Sequence, residues 1–321
     1  MAQRIDIYDT TLRDGAQGPG IKFSAEDQLR VVRFIEGGQP GSNPKAVELF
    51  ERARDLDLKN AKMVAFGSTR YAKSLPEADS NLNALLSAHT DIVTIFAKSS
   101  PTHAREILRV TLEENLELVQ DSIEYLRANG RVVFLDGEHF FDGYYEDPEY
   151  ALAVLQRGFE AGAKVLILCD TNGGRLPHEI AAATRAVRER IPEAQVGIHT
   201  HNDAGCGVAN SIAAVLEGAT HVQGTINGYG ERTGNANLCS IVPSLQLKLG
   251  YDVVTPDQLA TLTAMSHLVA ELANMTPRDS QPYTGRDAFT HKGGMHADAV
   301  RKLKSSYEHI DPLLVGNTRH I

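Results

Sequence analysis

Short apolar runs alternate along the chain with longer segments in which apolar residues recur at helical spacing. The runs are two to five residues long, which is typical of buried strands. They occupy residues 4–8, 34–35, 62–66, 92–96, 132–135, 165–169, 196–198 and 221–225. The clearest helical segments are residues 44–56, 102–128, 148–161, 177–190, 207–218 and 237–249. Strands that alternate with helices pair in parallel through right-handed crossovers. Eight such units predict an α/β fold, a (β/α)8 TIM barrel.

The alternation stops near residue 250. A helical run follows at residues 255–274, and the chain to residue 321 is polar, with several glycines and histidines. We therefore predict a barrel over residues 1–250 and a mainly helical accessory segment over residues 251–321. The first unit is short, because a helix and a turn must fit between Ser24 and Phe34, whereas a crossover usually needs about ten to twelve residues or more. This predicts a curtailed first helix or a displaced second strand.

Composition and charge exclude several classes of partner. The formal net charge is -9 and no segment concentrates Lys and Arg, so we do not expect nucleic acid as a partner. We do not expect a membrane as a partner either. The sequence has no apolar stretch of about 18 residues and begins with a charged, strand-like run, which favours a cytoplasmic location. Cys169, Cys206 and Cys239 are odd in number and widely spaced, which predicts reduced thiols with packing roles.

Polar, chemically versatile residues follow the strand-like runs. In a barrel of parallel strands, functional side chains lie where the strands end and the next loops begin. The sequences at these points are Asp-Thr-Thr-Leu-Arg-Asp-Gly at residues 9–15, Asp-Gly-Glu-His at 136–139, Asp-Thr-Asn-Gly-Gly at 170–174, His-Thr-His-Asn-Asp at 199–203 and Asn-Gly-Tyr-Gly-Glu-Arg-Thr-Gly-Asn at 227–235. This concentration predicts an active site at the carboxyl end of the barrel.

A metal site is the first candidate. His199 and His201 are two residues apart on a predicted strand, so both side chains point to the same face. Asp14 could add a carboxylate, and imidazole with carboxylate suits divalent metals such as Zn²⁺, Mn²⁺, Fe²⁺ or Co²⁺. The alternative is that the His-x-His pair reflects only local polarity. The nearby loops that carry Asp14 and Asn235 favour the metal site.

Arg13 precedes Asp14 at the end of the first predicted strand. A guanidinium group can hold a carboxylate through two hydrogen bonds, so Arg13 is a candidate binder of an acidic substrate. The alternative is an ordinary surface ion pair between Arg13 and Asp14. Such pairs seldom lie between an apolar strand and a glycine-containing turn.

Four motifs together resemble the isopropylmalate, homocitrate and citramalate synthase family. They lie at residues 9–15, 199–203, 227–238 and 293–298, so the resemblance spans essentially the whole chain. Residues 36–44, 66–70 and 138–144 resemble the citramalate synthase branch in particular. The resemblance implies a metal-dependent condensation of acetyl-CoA with pyruvate and water to citramalate and CoA, in isoleucine and branched-chain amino-acid biosynthesis.

Carried over residue by residue, the resemblance also implies individual roles. The metal, whether Mg²⁺, Mn²⁺ or Zn²⁺, would be held by Asp14, His199, His201 and Asn235. The oxo-acid substrate would be bound by Arg13, Thr171 and Gln17. Glu138 would be the base that deprotonates acetyl-CoA, and Asp136 or His139 could share this role. The alternative is that this acidic loop is simply solvated and has no catalytic role. His296, Asp298 and Tyr307 would assist catalysis from a neighbouring subunit, which implies a homodimer.

Several alternatives stay open at this point. The acceptor could be 2-oxoisovalerate or 2-oxoglutarate, as for isopropylmalate or homocitrate synthases, because pocket shape cannot be derived from one sequence. A lyase or aldolase could use the same metal site, and an inactive metal-binding homologue is a third possibility. Full-length relatives continue into a C-terminal regulatory domain, so the end of this sequence at Ile321 predicts that feedback by an amino acid is absent.

Overall fold

Eight strands pair in parallel in one sheet, in the order β1-β8-β7-β6-β5-β4-β3-β2, in a computed structural model that describes residues 2–21, 23, 35–54, 58 and 61–321. The strands are β1 (Asp6–Asp9), β2 (Ile35–Gly38), β3 (Met63–Ser68), β4 (Ile92–Lys98), β5 (Val132–Glu138), β6 (Val165–Asp170), β7 (Gln195–Thr200) and β8 (His221–Gly224). The end strands β1 and β2 approach each other within 8 Å between Cα atoms, although no ladder joins them in the described part. The sheet is a nearly closed barrel, and the predicted fold class is confirmed.

The strands are buried on both faces, as expected for parallel strands covered by helices. All six residues of β6 are buried. Val165, Ile167 and Cys169 form one cluster with Phe134 of β5, whereas Leu166 and Leu168 belong to the larger core that includes the helices. Alternate residues of β6 therefore belong to two different clusters.

The helices cover the outside of the sheet. They are α1 (Pro44–Ala53), α2 (Ser80–Ser87), α3 (Leu112–Ala128), α4 (Phe140–Glu146), α5 (Pro148–Ala161), α6 (Pro177–Arg190), α7 (Gly207–Leu216), α8 (Leu238–Pro243), α9 (Pro256–Leu259), α10 (Leu262–Leu272) and α11 (Gly294–Lys302). None of the helices in the described part of the chain is both long enough and apolar enough to cross a membrane.

The prediction of a single helix over residues 102–128 is wrong. A helical turn (Pro101–His103) and a π-helix (Ala104–Leu108) precede a break at Arg109, whose backbone is left-handed with φ 58°. A new helix, α3, then begins after Thr111, whose side chain and that of Glu114 cap each other's backbone N–H groups. The capping box marks a true helix start, which apolar periodicity alone did not reveal.

Two predictions fall on residues outside the described ranges. The shortened first unit concerns the segment from Ser24 to Phe34, and β2 begins at Ile35, directly after it. The predicted end of the first described helix near residue 56 also lies outside, since α1 is described to Ala53. Both stay predictions.

The accessory segment packs on the barrel through apolar residues that belong to the barrel's hydrophobic core, such as Leu262 and Val269, and through polar contacts. Asn227, in the loop after β8, accepts hydrogen bonds through Oδ1 from Ser266 Oγ at 2.6 Å and from Gln281 Nε2 at 2.9 Å. Lys248 Nζ donates to the carbonyl of His309 at 2.6 Å. The division near residue 250 falls between the π-helix that extends α8 to Lys248 and the start of α9, and it stays a prediction.

Candidate metal centre and active site

Three predicted metal ligands meet at the carboxyl end of the barrel. His199 lies in β7 and His201 directly after its end, so the two side chains point to the same face. Their Nε2 atoms are 3.2 Å apart. Asp14, just after β1, places Oδ2 at 3.2 Å from His199 Nε2 and 3.7 Å from His201 Nε2. All three residues are buried, and their ligand atoms lie within 4.8 Å of one another. One ion could therefore contact all three.

Asn235, the fourth predicted ligand, is bridged to His201 by backbone pairing and is 2% exposed. Its Nδ2 donates to the carbonyl of Tyr229 at 3.0 Å, while its buried Oδ1 has no hydrogen-bond partner within the described residues. A buried acceptor without a partner is costly. A carboxylate, two imidazoles and a buried amide oxygen are a donor set that fits a divalent cation.

The charges of the three central residues are strongly coupled. Burial alone would raise the pKa of Asp14, but Arg13 and His199 lower that pKa well below its usual value. Burial and the neighbouring His199 lower the pKa of His201 to about 4. Burial alone would lower the pKa of His199, but Asp14 raises it. The site therefore holds an ionised carboxylate and a neutral His201 at neutral pH.

Arg13 is held on three sides beside this group. Its Nε donates to Glu36 Oε2 at 3.1 Å, its Nη1 lies 3.5 Å from Asp14 Oδ2, and its Cζ lies 3.8 Å from the centroid of the Phe66 ring. Glu36 is completely buried, and burial raises its pKa to about 7 although Arg13 opposes the shift. The interpretation of Arg13 as a surface ion pair is wrong, because its side chain is only 13% exposed.

Sequence reasoning missed Gln223, a fully buried residue of β8. Its Oε1 lies 2.9 Å from His199 Nδ1, and its Nε2 donates to Asp136 Oδ1 at 3.1 Å. Burial raises the pKa of Asp136 to about 6. The available signal was weak: Gln223 is a polar residue in a fully buried strand, two positions after His221.

The predicted base Glu138 lies at the end of β5 and forms an ion pair with Lys98 of β4. The alternative His139 has left-handed backbone, φ 56°, and its Nδ1 lies 2.9 Å from Asp142 Oδ2. The backbone N–H of His139 donates to the hydroxyl of Thr171 at 2.8 Å, which joins the loops after β5 and β6. The acidic loop is thus paired rather than merely solvated.

Gln17 is exposed and lies in the 3-10 turn Gly15–Gln17 that follows Asp14. Together with Arg13 it lines a cavity of about 240 Å³ between the loop after β1 and the loop after β2. The cavity wall also includes Gln39 and Lys45. Gln17 is therefore on the same side of the mouth as Arg13.

The three predicted residues of the accessory segment do not join this site within the described chain. His296 is exposed and stacks on Tyr307 with ring centroids 4.2 Å apart. Asp298 pairs with Lys302 of the same helix at 2.6 Å. Tyr307 is 51% exposed. No hydrogen bond or ion pair connects any of the three to a described residue of the barrel.

Comparison with known proteins gives consistent results along the chain. The HMGL-like family model matches residues 4–269, and the model described as homocitrate synthase post-HMGL domain-like matches residues 283–321. The (R)-citramalate synthase of Aquifex aeolicus is 52% identical and that of Geobacter sulfurreducens 50%, over 100% and 99% of this chain. The chain spans 62% and 61% of the length of these two relatives. A crystal structure of HMG-CoA lyase from Bacillus subtilis is similar with a TM-score of 0.71 and 21% identity, covering 86% of this chain and 95% of that one.

Proposed function

We propose a function for this chain on one premise: the chain belongs to the HMGL-like family. From its likeness to citramalate synthases, we infer that it condenses acetyl-CoA with pyruvate and water to give (R)-citramalate and free CoA. The observation that carries this proposal is the buried group of Asp14, His199 and His201 directly beside Arg13. A cation site next to a fixed guanidinium suits a substrate that carries both a carbonyl and a carboxylate.

In this proposal Asp14, His199 and His201 hold a divalent cation, and Asn235 adds its amide oxygen directly or through water. The identity of the metal is open among Mg²⁺, Mn²⁺ and Zn²⁺. Such a cation supplies Lewis-acid polarisation of a substrate carbonyl. The burial of the site supports this role, because electrostatic stabilisation is stronger where water is excluded.

Arg13 is proposed to bind the carboxylate of pyruvate. Two of its nitrogens face Glu36 and Asp14, and its remaining N–H groups have no partner among the described residues, which supports their use by a substrate. The contacts with Glu36 and Phe66 hold the guanidinium in one orientation before substrate arrives, which reduces the entropy lost on binding. Thr171 and Gln17 are proposed as further contacts to the oxo acid.

Glu138 is the proposed base that takes a proton from the methyl group of acetyl-CoA, and Lys98 would hold its carboxylate in place. Asp136 is the alternative, because burial raises its pKa to about 6, which is closer to the range that suits a general base. Comparison of E138Q with D136N separates the two. The variant that loses turnover even when metal and pyruvate are saturating identifies the base.

We further propose that His296, Asp298 and Tyr307 act on the acetyl-CoA end from the second subunit of a homodimer. Support comes from their exposure on the accessory segment, where a second copy could reach them. The cytoplasmic location stays a prediction.

The test measures release of free CoA thiol from acetyl-CoA with Mg²⁺ or Mn²⁺, in parallel with pyruvate, 2-oxobutyrate, 2-oxoisovalerate and 2-oxoglutarate. We expect pyruvate-dependent release that EDTA abolishes, and (R)-citramalate as the product on chiral chromatography. His201→Ala should abolish release, and His178→Ala, on the exposed face of α6, is the matched control. Preference for another oxo acid would overturn the choice of substrate, and release with none of them would overturn the proposed reaction.

A further inference from the structure

A buried chain of hydrogen bonds crosses the inside of the barrel from β5 to β8 and on to β7. It runs from Asp136 through Gln223 to His199, and these side chains are 4%, 0% and 5% exposed. β5 and β8 are not neighbours in the sheet, because β6 and β7 lie between them. The contact of Asp136 with Gln223 therefore spans the barrel interior.

Asp136 determines which atom donates and which accepts in each of these hydrogen bonds. An ionised carboxylate only accepts hydrogen bonds, so the Gln223 amide nitrogen must face Asp136, as the 3.1 Å contact from Nε2 to Oδ1 shows. The amide oxygen then faces His199 Nδ1 at 2.9 Å. An amide oxygen can only accept, so Nδ1 of His199 must carry hydrogen.

A neutral imidazole carries one hydrogen, and if it is on Nδ1 the other nitrogen has a free lone pair. In His199 that other nitrogen is Nε2, the atom that faces Asp14 Oδ2 at 3.2 Å and His201 Nε2 at 3.2 Å. His201 differs, since its buried Nδ1 has no hydrogen-bond partner among the residues the structure describes. Of the two histidines, only His199 has its tautomer set by a side chain of the described structure.

We propose that Gln223, oriented by Asp136, is a positioning residue that fixes the tautomer of His199 and so prepares Nε2 as a metal ligand. The proposal rests on the proposed function, in that it takes Asp14, His199 and His201 as the cation site. It goes beyond that function because it states when the ligand is prepared: hydrogen bonds inside the barrel fix the tautomer of His199 before a cation binds. Removal of a group that forms a hydrogen bond with a metal-bound histidine typically weakens metal affinity about 10–100-fold.

The first test replaces Gln223 with methionine, which has a similar size and shape but no amide. Binding of Mn²⁺ by the full chain is measured by isothermal titration calorimetry, without substrates. We expect Q223M to bind Mn²⁺ about 10–100-fold more weakly than the unchanged protein. Gln195→Met is the matched control: Gln195 is the first residue of β7, at the opposite end of the barrel, and donates to Asp6, so this variant should bind Mn²⁺ normally.

A second variant separates tautomer control from general damage to the core. The double exchange D136N with Q223E keeps the net charge and the hydrogen bond that His199 Nδ1 donates to position 223. It reverses the bond between positions 136 and 223, because the asparagine amide then donates to the glutamate carboxylate. We expect this exchange to restore Mn²⁺ affinity to within a few-fold of the unchanged protein. A structural role for Gln223 alone would not predict rescue by a pair that moves a carboxylate across the interior.

A spectroscopic measurement reads the tautomer itself. In Zn²⁺-loaded protein labelled with ¹⁵N at histidine, His199 should show hydrogen on Nδ1, and this signal should shift or disappear in Q223M. Unchanged Mn²⁺ affinity in Q223M, failure of the double exchange to rescue, or hydrogen on Nε2 of His199 would each overturn the proposal. None of these readouts uses turnover, so a chain that binds Mn²⁺ as expected but releases no CoA would overturn the proposed function alone.

Discussion

The mouth of the barrel and the accessory segment carry predicted site residues in very different states. At the mouth, Asp14, His199 and His201 come from strands far apart in sequence, yet their ligand atoms converge within 4.8 Å. On the segment, His296 and Tyr307 contact each other and are exposed. Paired strands fix the positions of side chains at their ends, whereas a short surface helix fixes them only relative to itself. The three candidate metal ligands thus converge within one chain, whereas the role proposed for the segment would require a second subunit.

The largest effect should come from Asp14→Asn, which removes the ionised oxygen that both histidines face. We expect loss of bound metal and a decrease in CoA release of roughly 10³-fold or more, because a Lewis acid contributes several kcal/mol to the transition state. Metal content after dialysis and turnover are the measurements. Asp91→Asn, on the exposed surface before β4, is the control. Full metal content in D14N would show that Asp14 does not hold the metal.

A smaller effect is expected for His296→Ala on the segment: about 10²-fold or more lower turnover, as for loss of a general acid or base, with metal content unchanged. Mixing D14N with H296A should then restore activity to roughly a quarter of the unchanged protein, because half of the dimers are mixed and one of their two sites is intact. No recovery on mixing, after subunit exchange has been verified, would contradict action between subunits.

Arg13→Lys tests how strongly the mouth is preorganised. Lysine keeps the positive charge, but its ammonium group is not planar and cannot both stack on Phe66 and contact Glu36. We expect KM for pyruvate to rise about 10–100-fold, in line with the loss of charged hydrogen bonds, with a smaller change in kcat. Arg4→Lys, before β1 and paired with Asp252, is the control. An unchanged KM would mean that Arg13 does not bind the acceptor.

The smallest effect concerns the free energy of unfolding and involves Asp9, the last residue of β1. Burial raises the pKa of Asp9 to about 7, despite hydrogen bonds from Thr11, so the folded state favours the protonated acid. The stability from this group is full below its unfolded pKa near 4 and is lost as pH rises through 7. Relative to the unchanged protein, Asp9→Asn should therefore gain about 1–2 kcal/mol between pH 5.5 and 7.5. Urea unfolding at the two pH values measures the gain, which D91N should not show.

Local sequence patterns predicted most of the sheet and the metal group, because strand ends in a parallel barrel converge by construction. They did not predict α2 or α4. α4 begins after His139, whose left-handed backbone is set by its loop, and its aromatic sequence has no clear helical stripe. Gln223 could not be found from the sequence, since its role depends on a contact with Asp136 across the barrel. Local patterns also could not place His296 relative to the mouth, since it is exposed and its ring stacks on Tyr307 of the same segment.

Asn227 also affects how freely the protein's parts could be exchanged between relatives. Its backbone is left-handed, with φ 63°, in the same loop that carries Asn235, and its side-chain oxygen is held by Ser266 and Gln281 of the following segment. Removal or replacement of that segment would leave this oxygen without its two donors. A chimera that joins this barrel to a foreign segment must therefore supply equivalent donors at both positions, or the loop bearing Asn235 loses its support. We therefore expect the barrel and the segment to be exchangeable only together.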